Sequence, residues 1–422
     1  MPNKALIELL IELHSAMSTS SVPDDLEPPS FSRSTWAEID LHALRCNVRE
    51  LCRIAGNGAP LLAVVKANAY GHGAVPVAHA LVGSGVGSGD AEPESRVRML
   101  GVASVDEGIH LREAGIEAPI LLLSAILPGE AHAAVRAGLV PTVFTREVAA
   151  AVNEAGAMMG RTAPMHVKID TGMNRLGVWH CEAPAFYRSL AAFPHLRVTG
   201  IYTHFACADE PDDTMTAEQM RAFEAALREC GVWPRRLAGL PPQEMVIHAS
   251  NSAALLRYPA AAYDMVRPGI ALYCASPPQC VEGKAISLRP VMTLKARITR
   301  VATVPSGAPV SYGATWRAAG SARIATVSVG YADGYPRRLS NRAAVLIRDT
   351  RCPVVGRVTM DQILVDCTRL APDIRIGEVV TLFGQGLPVE EIAAWAETIS
   401  YEILCGVAHR VPRVYIDATD IE

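Results

Sequence analysis

The sequence predicts an α/β protein, an N-terminal (β/α)8 TIM-type barrel followed by a mainly β C-terminal domain, and three observations predict it. Eight short aliphatic runs alternate with helical stretches over the first two thirds of the chain. After about residue 288 the texture changes to β-rich segments separated by Gly, Pro, Asp and Asn. Residues 61–73, LLAVVKANAYGHG, pass from a buried-strand pattern directly into a loop carrying Lys66, Asn68, Tyr70 and His72. The 422 residues are enough for a barrel, which takes roughly 250, and a second domain. The expected division is an N-terminal extension and linker at 1–34, the barrel at 35–288 and the β-rich domain at 289–422.

Residues 1–17 read as a short amphipathic helix, since Glu8 and Glu12 interrupt the apolar run and leave neither a membrane span nor a signal-peptide core. Residues 18–34, rich in Ser, Pro and Asp, read as a linker. A short alternating piece at Trp36 gives way to a helical pattern in which Leu41, Leu44, Val48 and Leu51 share one face, with Ala43 off that stripe. The barrel strands are expected at 61–65, 100–103, 119–123, 139–143, 165–169, 198–202, 244–248 and 269–273. Helices are expected at 104–114, 146–155 and 214–229, the last with Thr214 as its cap. Residues 83–99 hold four glycines among charged residues and read as a surface excursion; they bend the GxGxxG pattern too far for a dinucleotide fingerprint. In the second domain, strands are expected at 291–303, 322–329, 343–347, 353–358, 363–366 and 379–382, and a helix at 389–398.

Half the residues are hydrophobic and the formal charge is −4, which gives no electrostatic case for nucleic acid. The ten cysteines form no CxxC pair, so they are expected to be reduced in a cytoplasmic protein without a metal site or membrane segment.

Chemistry-bearing residues collect where strands run out into loops: Lys66; Lys168 and Arg175 around KIDTGMNR; His204; Ser252; Arg267 before Pro268, Gly269 and Ile270; and Tyr312 in the second domain. Barrel enzymes put function at the carboxyl ends of strands, so these positions can converge. A desolvated lysine at a strand end has a lowered pKa and an amine available for a Schiff base. Taken singly, each residue also has a plain structural explanation. Lys66 can snorkel, the arginines can pair at the surface, His204 can be a hydrogen-bonded structural histidine, and Ser252 can cap a helix.

The stretch LAVVKANAYGHG resembles the cofactor-lysine signature of bacterial alanine racemases, the fold-type III enzymes that use pyridoxal 5'-phosphate. The likeness runs from Trp36 nearly to the C-terminus, through KIDTGMNRLG, THFACAD, HASNSAALL, VRPGIALY, SYGATW, VGYADGYPR, GRVTMDQ and YEILCGVAHRVPR. It implies that Lys66 holds the cofactor and is one of two proton-transfer groups, the other being Tyr312 from the second subunit of a homodimer. It further implies Arg267 at the pyridine nitrogen, Arg175 at the phenolic oxygen, and His204 in the network near Tyr312. The phosphate would meet Tyr70, Ser252, the backbone at Gly269 and Ile270, and Tyr401. The substrate carboxylate would meet the Met360 amide and Arg175. Tyr331 and Tyr401 would narrow the entrance with Asp361 nearby, and Lys168 matches a position carbamylated in several relatives.

Two bases on opposite faces are the economical way to invert an α-carbon, and an arginine, with a pKa of roughly 12 or more, is a poor proton donor to the ring nitrogen. The implied reaction is the interconversion of L- and D-alanine, with a broad-specificity or serine racemase of the same fold as the alternative. The biological setting is either provision of D-alanine for peptidoglycan or catabolism of the opposite enantiomer. A non-catalytic pyridoxal-phosphate-binding relative would lack the second domain, and a decarboxylase would carry other C-terminal motifs. Two departures stand out: Asn174 replaces a glycine of some relatives, which calls for a left-handed asparagine, and Cys274 stands where glycine is frequent.

Overall fold

The computed structural model describes residues 33–56, 59–82, 97–233, 245–275, 286–370 and 372–417. The expected N-terminal helix, the linker up to residue 32 and residues 83–96 of the expected excursion lie outside the described residues. Val97 to Met99, grouped with that excursion from sequence, belong instead to the strand Val97–Val102.

Parallel pairings carry the first half into a closed ring. Leu61–Val64 pairs with Val97–Val102, which pairs with Ile120–Leu122. A bridge from Leu121 to Val140 leads to Thr142–Val143, and from there the ladder continues through Ala163–Asp170, Leu196–Tyr202 and Val246–His248. Bridges from His248 to Met265 and from Val266 back to Leu61 close it. The eighth strand is therefore Met265–Val266, four residues earlier than expected. Ile270–Tyr273 is a 3-10 turn. A short buried apolar run reads alike as strand or turn. Here the proline at 268 lends its carbonyl to Val64 N–H at 3.0 Å, and Ser252 Oγ draws in the amides of Gly269 and Ala271 at 2.9 and 3.2 Å.

The helices begin where side chains can take their free amides. Asp40, Ser104, Thr145 and Asn251 each accept from the amide three residues on, caps worth about 1 kcal/mol apiece. Leu41–Ala55 buries the predicted Leu44, Val48 and Leu51, and it also buries Ala43, which the sequence placed off the stripe. The apolar face is wider than the three-four spacing suggested. Thr214–Glu229 keeps its predicted bounds, but Thr214 is the first helical residue and Asp213 the N-cap; Asp212 Oδ1 takes the Thr214 amide at 2.9 Å.

The second half is a twisted β structure centred on Met292–Val304. That strand pairs antiparallel with Ala322–Val327, Val379–Phe383 and Thr35–Asp40, the piece grouped with the barrel from sequence. Thr35–Asp40 in turn pairs in parallel with Arg413–Ile416, a strand the sequence reading did not name. The strand expected at 353–358 lies at Thr350–Pro353, and beyond it Val354 makes only an isolated bridge to Val365. The helix Val389–Ala396 follows as expected. Buried residues of barrel and sheet form one contiguous cluster. Among the described residues no helix is long and apolar enough to cross a membrane.

Candidate active site

Lys66 sits where the fully buried strand Leu61–Val64 ends, at the head of a turn of unusual hand. Ala67, Asn68, Ala69 and Tyr70 all have φ between 52° and 54°. Four successive non-glycine residues in the left-handed region cost roughly 1–2 kcal/mol each, so the surroundings must hold them. They do. Asn68 Oδ1 accepts the Ala74 amide at 2.8 Å, Arg413 Nε donates to Gly71 O at 3.0 Å, and Tyr415 Oη donates to His72 O at 3.2 Å. Gly71, at φ 84°, lies so close to Leu404 O that no side chain fits there. Burial lowers the Lys66 pKa, the Arg175 cation lowers it further, and Glu107 and Cys405 oppose the shift.

A cavity of about 440 Å³ opens at the carboxyl ends of the barrel strands. Of the residues predicted from sequence, Lys66, Tyr70, Lys168, Arg175, His204, Ser252, Arg267, Gly269, Ile270 and Tyr401 all line it. Tyr312, Tyr331, Met360 and Asp361 do not. They line a second cavity of about 770 Å³ on the β domain, together with Arg337 and Arg357. Tyr312 is 71% exposed and Met360 53%. The Tyr312 loop is nonetheless braced: Ser311 Oγ donates to Arg357 O at 2.7 Å, and Gly313, at φ 72°, packs on the Arg357 guanidinium. Asp361 is paired with Arg410 at 2.7 Å, and Arg410 with the buried Asp333 at 2.8 Å.

Arg267 is buried, and both of its terminal nitrogens are held. Its Nη2 faces Thr203 O and Ala249 O, each at 2.8 Å, and His204 Nδ1 at 3.1 Å; its Nη1 donates to His248 Nδ1 at 2.9 Å. A guanidinium can only donate, which assigns the tautomers along the chain. His248 Nδ1 accepts, so its Nε2–H donates to His166 Nδ1 at 3.0 Å. His166 Nε2 then carries the proton and has no partner. Burial holds Arg267 down to about 10, still protonated at neutral pH. Burial first, and then the positive groups around it, chief among them the always-charged Arg267 and Arg175, hold the His204 pKa well below that of a free imidazole.

Tyr202 stacks on His248 with ring centres 4.7 Å apart, and the Lys168 ammonium position lies 4.5 Å from the centre of the Tyr202 ring. Burial first, and then Arg267 and Arg175, press the Lys168 pKa well below the ordinary lysine value. At the far end of the cavity Ser252 Oγ gathers the Gly269 and Ala271 amides. A side chain on Gly269 would stand 2.5 Å from Tyr70 Oη. Tyr70 lies 6.0 Å from Tyr401, ring centre to ring centre.

Sequence reasoning missed Tyr202, His166, His248 and Glu107. Alternation along a strand was the available signal for two of them, because Tyr202 precedes His204 by two residues and His166 precedes Lys168 by two. Asn174 is left-handed at φ 57°, as expected, and Cys274 is left-handed as well, at φ 56°.

Comparison with known proteins gives one consistent answer. The family description "Alanine racemase, N-terminal domain" matches residues 39–277, and "Alanine racemase, C-terminal domain" matches 291–415. An alanine racemase of Symbiobacterium thermophilum is 47% identical over 387 residues, covering 91% of this chain and 97% of its own. One of Nostoc sp. is 44% identical over 393 residues, covering 91% and 96%. Among solved structures, alanine racemase of Clostridium difficile 630 superposes with a TM-score of 0.82 at 36% identity, covering 93% of this chain and 98% of that one. That of Bartonella henselae, solved with covalently bound pyridoxal phosphate, gives 0.78 at 28% identity, covering 91% and 99%.

Proposed function

The chain belongs to the alanine racemase family, and on that basis we propose that it interconverts L- and D-alanine with Lys66 Nζ on one face of the α-carbon and the partner subunit's Tyr312 Oη on the other. One observation carries the two-chain reading. Lys66 and nine other predicted residues line the barrel cavity, whereas Tyr312 and Met360 project from a separate, exposed surface of the same chain. A second copy that brought this surface to the barrel mouth would complete the site. We take the active form to be a homodimer.

The donor set fits pyridoxal 5'-phosphate. A lysine with a lowered pKa, a buried arginine and a hydroxyl-and-amide cradle around Ser252, Gly269 and Tyr70 face one cavity. When bound, the group supplies an electron sink for the charge left on the α-carbon. Tyr70, Tyr401, Ser252 and the backbone at Gly269 and Ile270 would hold its phosphate. Arg267 would donate to the pyridine nitrogen, and with its pKa held only to about 10 it keeps its own proton at neutral pH. Arg175 would meet the phenolic oxygen and, with the partner subunit's Met360 amide, the substrate carboxylate. His204, neutral and tied to Arg267, would sit near the partner subunit's Tyr312.

Lys66 Nζ, neutral more often than an exposed lysine because of burial and Arg175, can take a proton from one face. The partner subunit's Tyr312 Oη would return one from the other face, with the cations of the barrel mouth stabilising the oxyanion it leaves. Lys168 is suited to carbamylation, since a buried amine with a strongly lowered pKa is a nucleophile for carbon dioxide, and the carbamate would help to orient Arg175. Tyr331, Tyr401 and Asp361 would keep the entrance narrow enough to favour alanine. The cysteine usage, ten residues with no CxxC pair, supports a cytoplasmic setting.

The test is detection of the D-enantiomer from L-Ala, L-Ser, L-Arg and L-Lys by the purified protein, with its oligomeric state measured in parallel. Faster turnover of alanine than of the others is expected. Faster racemisation of L-lysine would overturn the substrate assignment, and full activity in a verified monomer would overturn the shared site.

A further inference from the structure

The peptide that follows Lys66 is held by a side chain from outside its loop. Ala67 N–H donates to Glu107 Oε1 at 2.7 Å, and the second oxygen of the same carboxylate takes Ala103 N–H at 2.6 Å. Ala103 follows the strand Val97–Val102, which is the parallel neighbour of the strand that ends at Lys66. The carboxylate thus bridges the exits of two adjacent barrel strands. The other end of the left-handed turn is tied to the β domain through Arg413 and Tyr415.

Glu107 also stands at the third position of the helix Val105–Glu113, whose N-cap is Ser104. In an ordinary capping box its carboxylate would return to the amide of the cap residue itself. Here it passes that amide, takes the one before it and reaches across to a different strand exit. Helix capping alone does not account for that reach.

We propose that Glu107 is a positioning residue for Lys66, its carboxylate fixing the first peptide of the left-handed turn and so the point from which the lysine side chain enters the cavity. The proposal rests on the reading that Lys66 carries the cofactor. Glutamine in this place would offer one acceptor oxygen and turn a donor toward the second amide, so only a carboxylate serves both. The carboxylate also raises the basicity of Lys66, against the lowering by burial and Arg175 and alongside Cys405; His204 and Lys168 share the same surroundings.

The experiment compares wild type, Glu107→Gln, Glu107→Asp and Ser104→Ala. Two readouts are used: hydrogen exchange at the Ala67 amide, and the pH midpoint for capture of added pyridoxal 5'-phosphate by apoenzyme, trapped with borohydride and mapped to a peptide. Glu107→Gln should raise Ala67 exchange about tenfold or more and move the midpoint downward. Glu107→Asp, which keeps the charge but is too short to span both amides, should raise exchange and leave the midpoint near wild type, so the proposal stays testable if the glutamine variant does not fold. Ser104→Ala should lower the melting temperature and move neither readout. Unchanged exchange in both Glu107 variants, or equal changes in Ser104→Ala, overturns the proposal. Wild-type label mapped away from Lys66 overturns instead the reading beneath it, and is distinguishable because it requires no variant.

Discussion

Arg267 Nη1 meets His248 Nδ1 at 2.9 Å inside the barrel, and this single contact ties the orientation of the guanidinium to a pair of neutral histidines. His248→Phe keeps a ring to stack on Tyr202 but strips the acceptor from Arg267 and the donor from His166. Leaving these buried groups unpaired should cost about 1–3 kcal/mol, read by urea unfolding, and should weaken binding of pyridoxal 5'-phosphate to apoenzyme. His166→Phe leaves the Arg267 contact intact and should weaken cofactor binding less.

The same histidines set an acid limit. Burial lowers the His166 pKa from 6.5 to about 3, so between those values the unfolded chain binds more protons than the folded one. Stability should therefore fall as pH falls from about 6.5 towards 3, by about 1.4 kcal/mol per pH unit for one such ring. In His166→Leu that share of the slope should vanish from unfolding curves collected across this range.

Lys168 has the opposite formal charge habit to a carboxylate but obeys the same linkage. Its folded-state pKa is depressed by burial and by two arginines, so the unfolded chain holds more protons up to the ordinary value of 10.5. The penalty is greatest at low pH and shrinks as pH rises toward that value. In carbon-dioxide-free buffer, Lys168→Met should raise the melting temperature near pH 6, and the gain should decline steadily toward pH 10.

Tyr312→Phe separates catalysis from folding. The ring is mostly exposed, so removal of its hydroxyl should change stability by no more than about 0.5 kcal/mol. On the proposed two-base reading, loss of the Tyr312 hydroxyl should lower kcat about 10²- to 10⁴-fold. Mixing this variant with Lys66→Ala should restore part of the activity if hybrid dimers form, because one of the two shared sites would then hold both groups.

Gly269→Ala probes the cradle. The added methyl would stand 2.5 Å from Tyr70 Oη, an atom at the end of a buried and rigidly packed ring. Titration of apoenzyme with pyridoxal 5'-phosphate should show affinity reduced about tenfold or more. Gly129→Ala, also a glycine replacement but with open space around it and no left-handed backbone, should leave affinity unchanged.

Much of this was legible in the chain because it lives in local pattern. Strand runs such as 61–65 and 165–169 show as apolar stretches, and Lys66 and Arg175 fall at or just beyond their ends, where barrel geometry gathers them into one cavity; Arg267, which precedes the run 269–273 read as a strand, reaches that cavity from the end of Met265–Val266 instead. What was not legible depends on partners far away in sequence. Met265–Val266 is too short to be seen as a strand and is one only because Leu61 and His248 flank it. Thr35–Asp40 looks like the start of the barrel and pairs with residues near 294 and 414. Glu107 reads as an ordinary first-turn acid until Ala67 is seen beside it.

The parallel strands Thr35–Asp40 and Arg413–Ile416 have a consequence for biosynthesis. Arg413 and Tyr415 leave the ribosome 342 and 343 residues after the loop carbonyls they bind. A nascent chain can close its barrel well before then, yet the left-handed turn behind Lys66 lacks its distal anchor until Arg413–Ile416 is released and laid alongside Thr35–Asp40. The turn behind Lys66 is thereby completed only after residues 413–416 have emerged, so a chain stalled short of residue 413 would lack the two bonds that hold its far end.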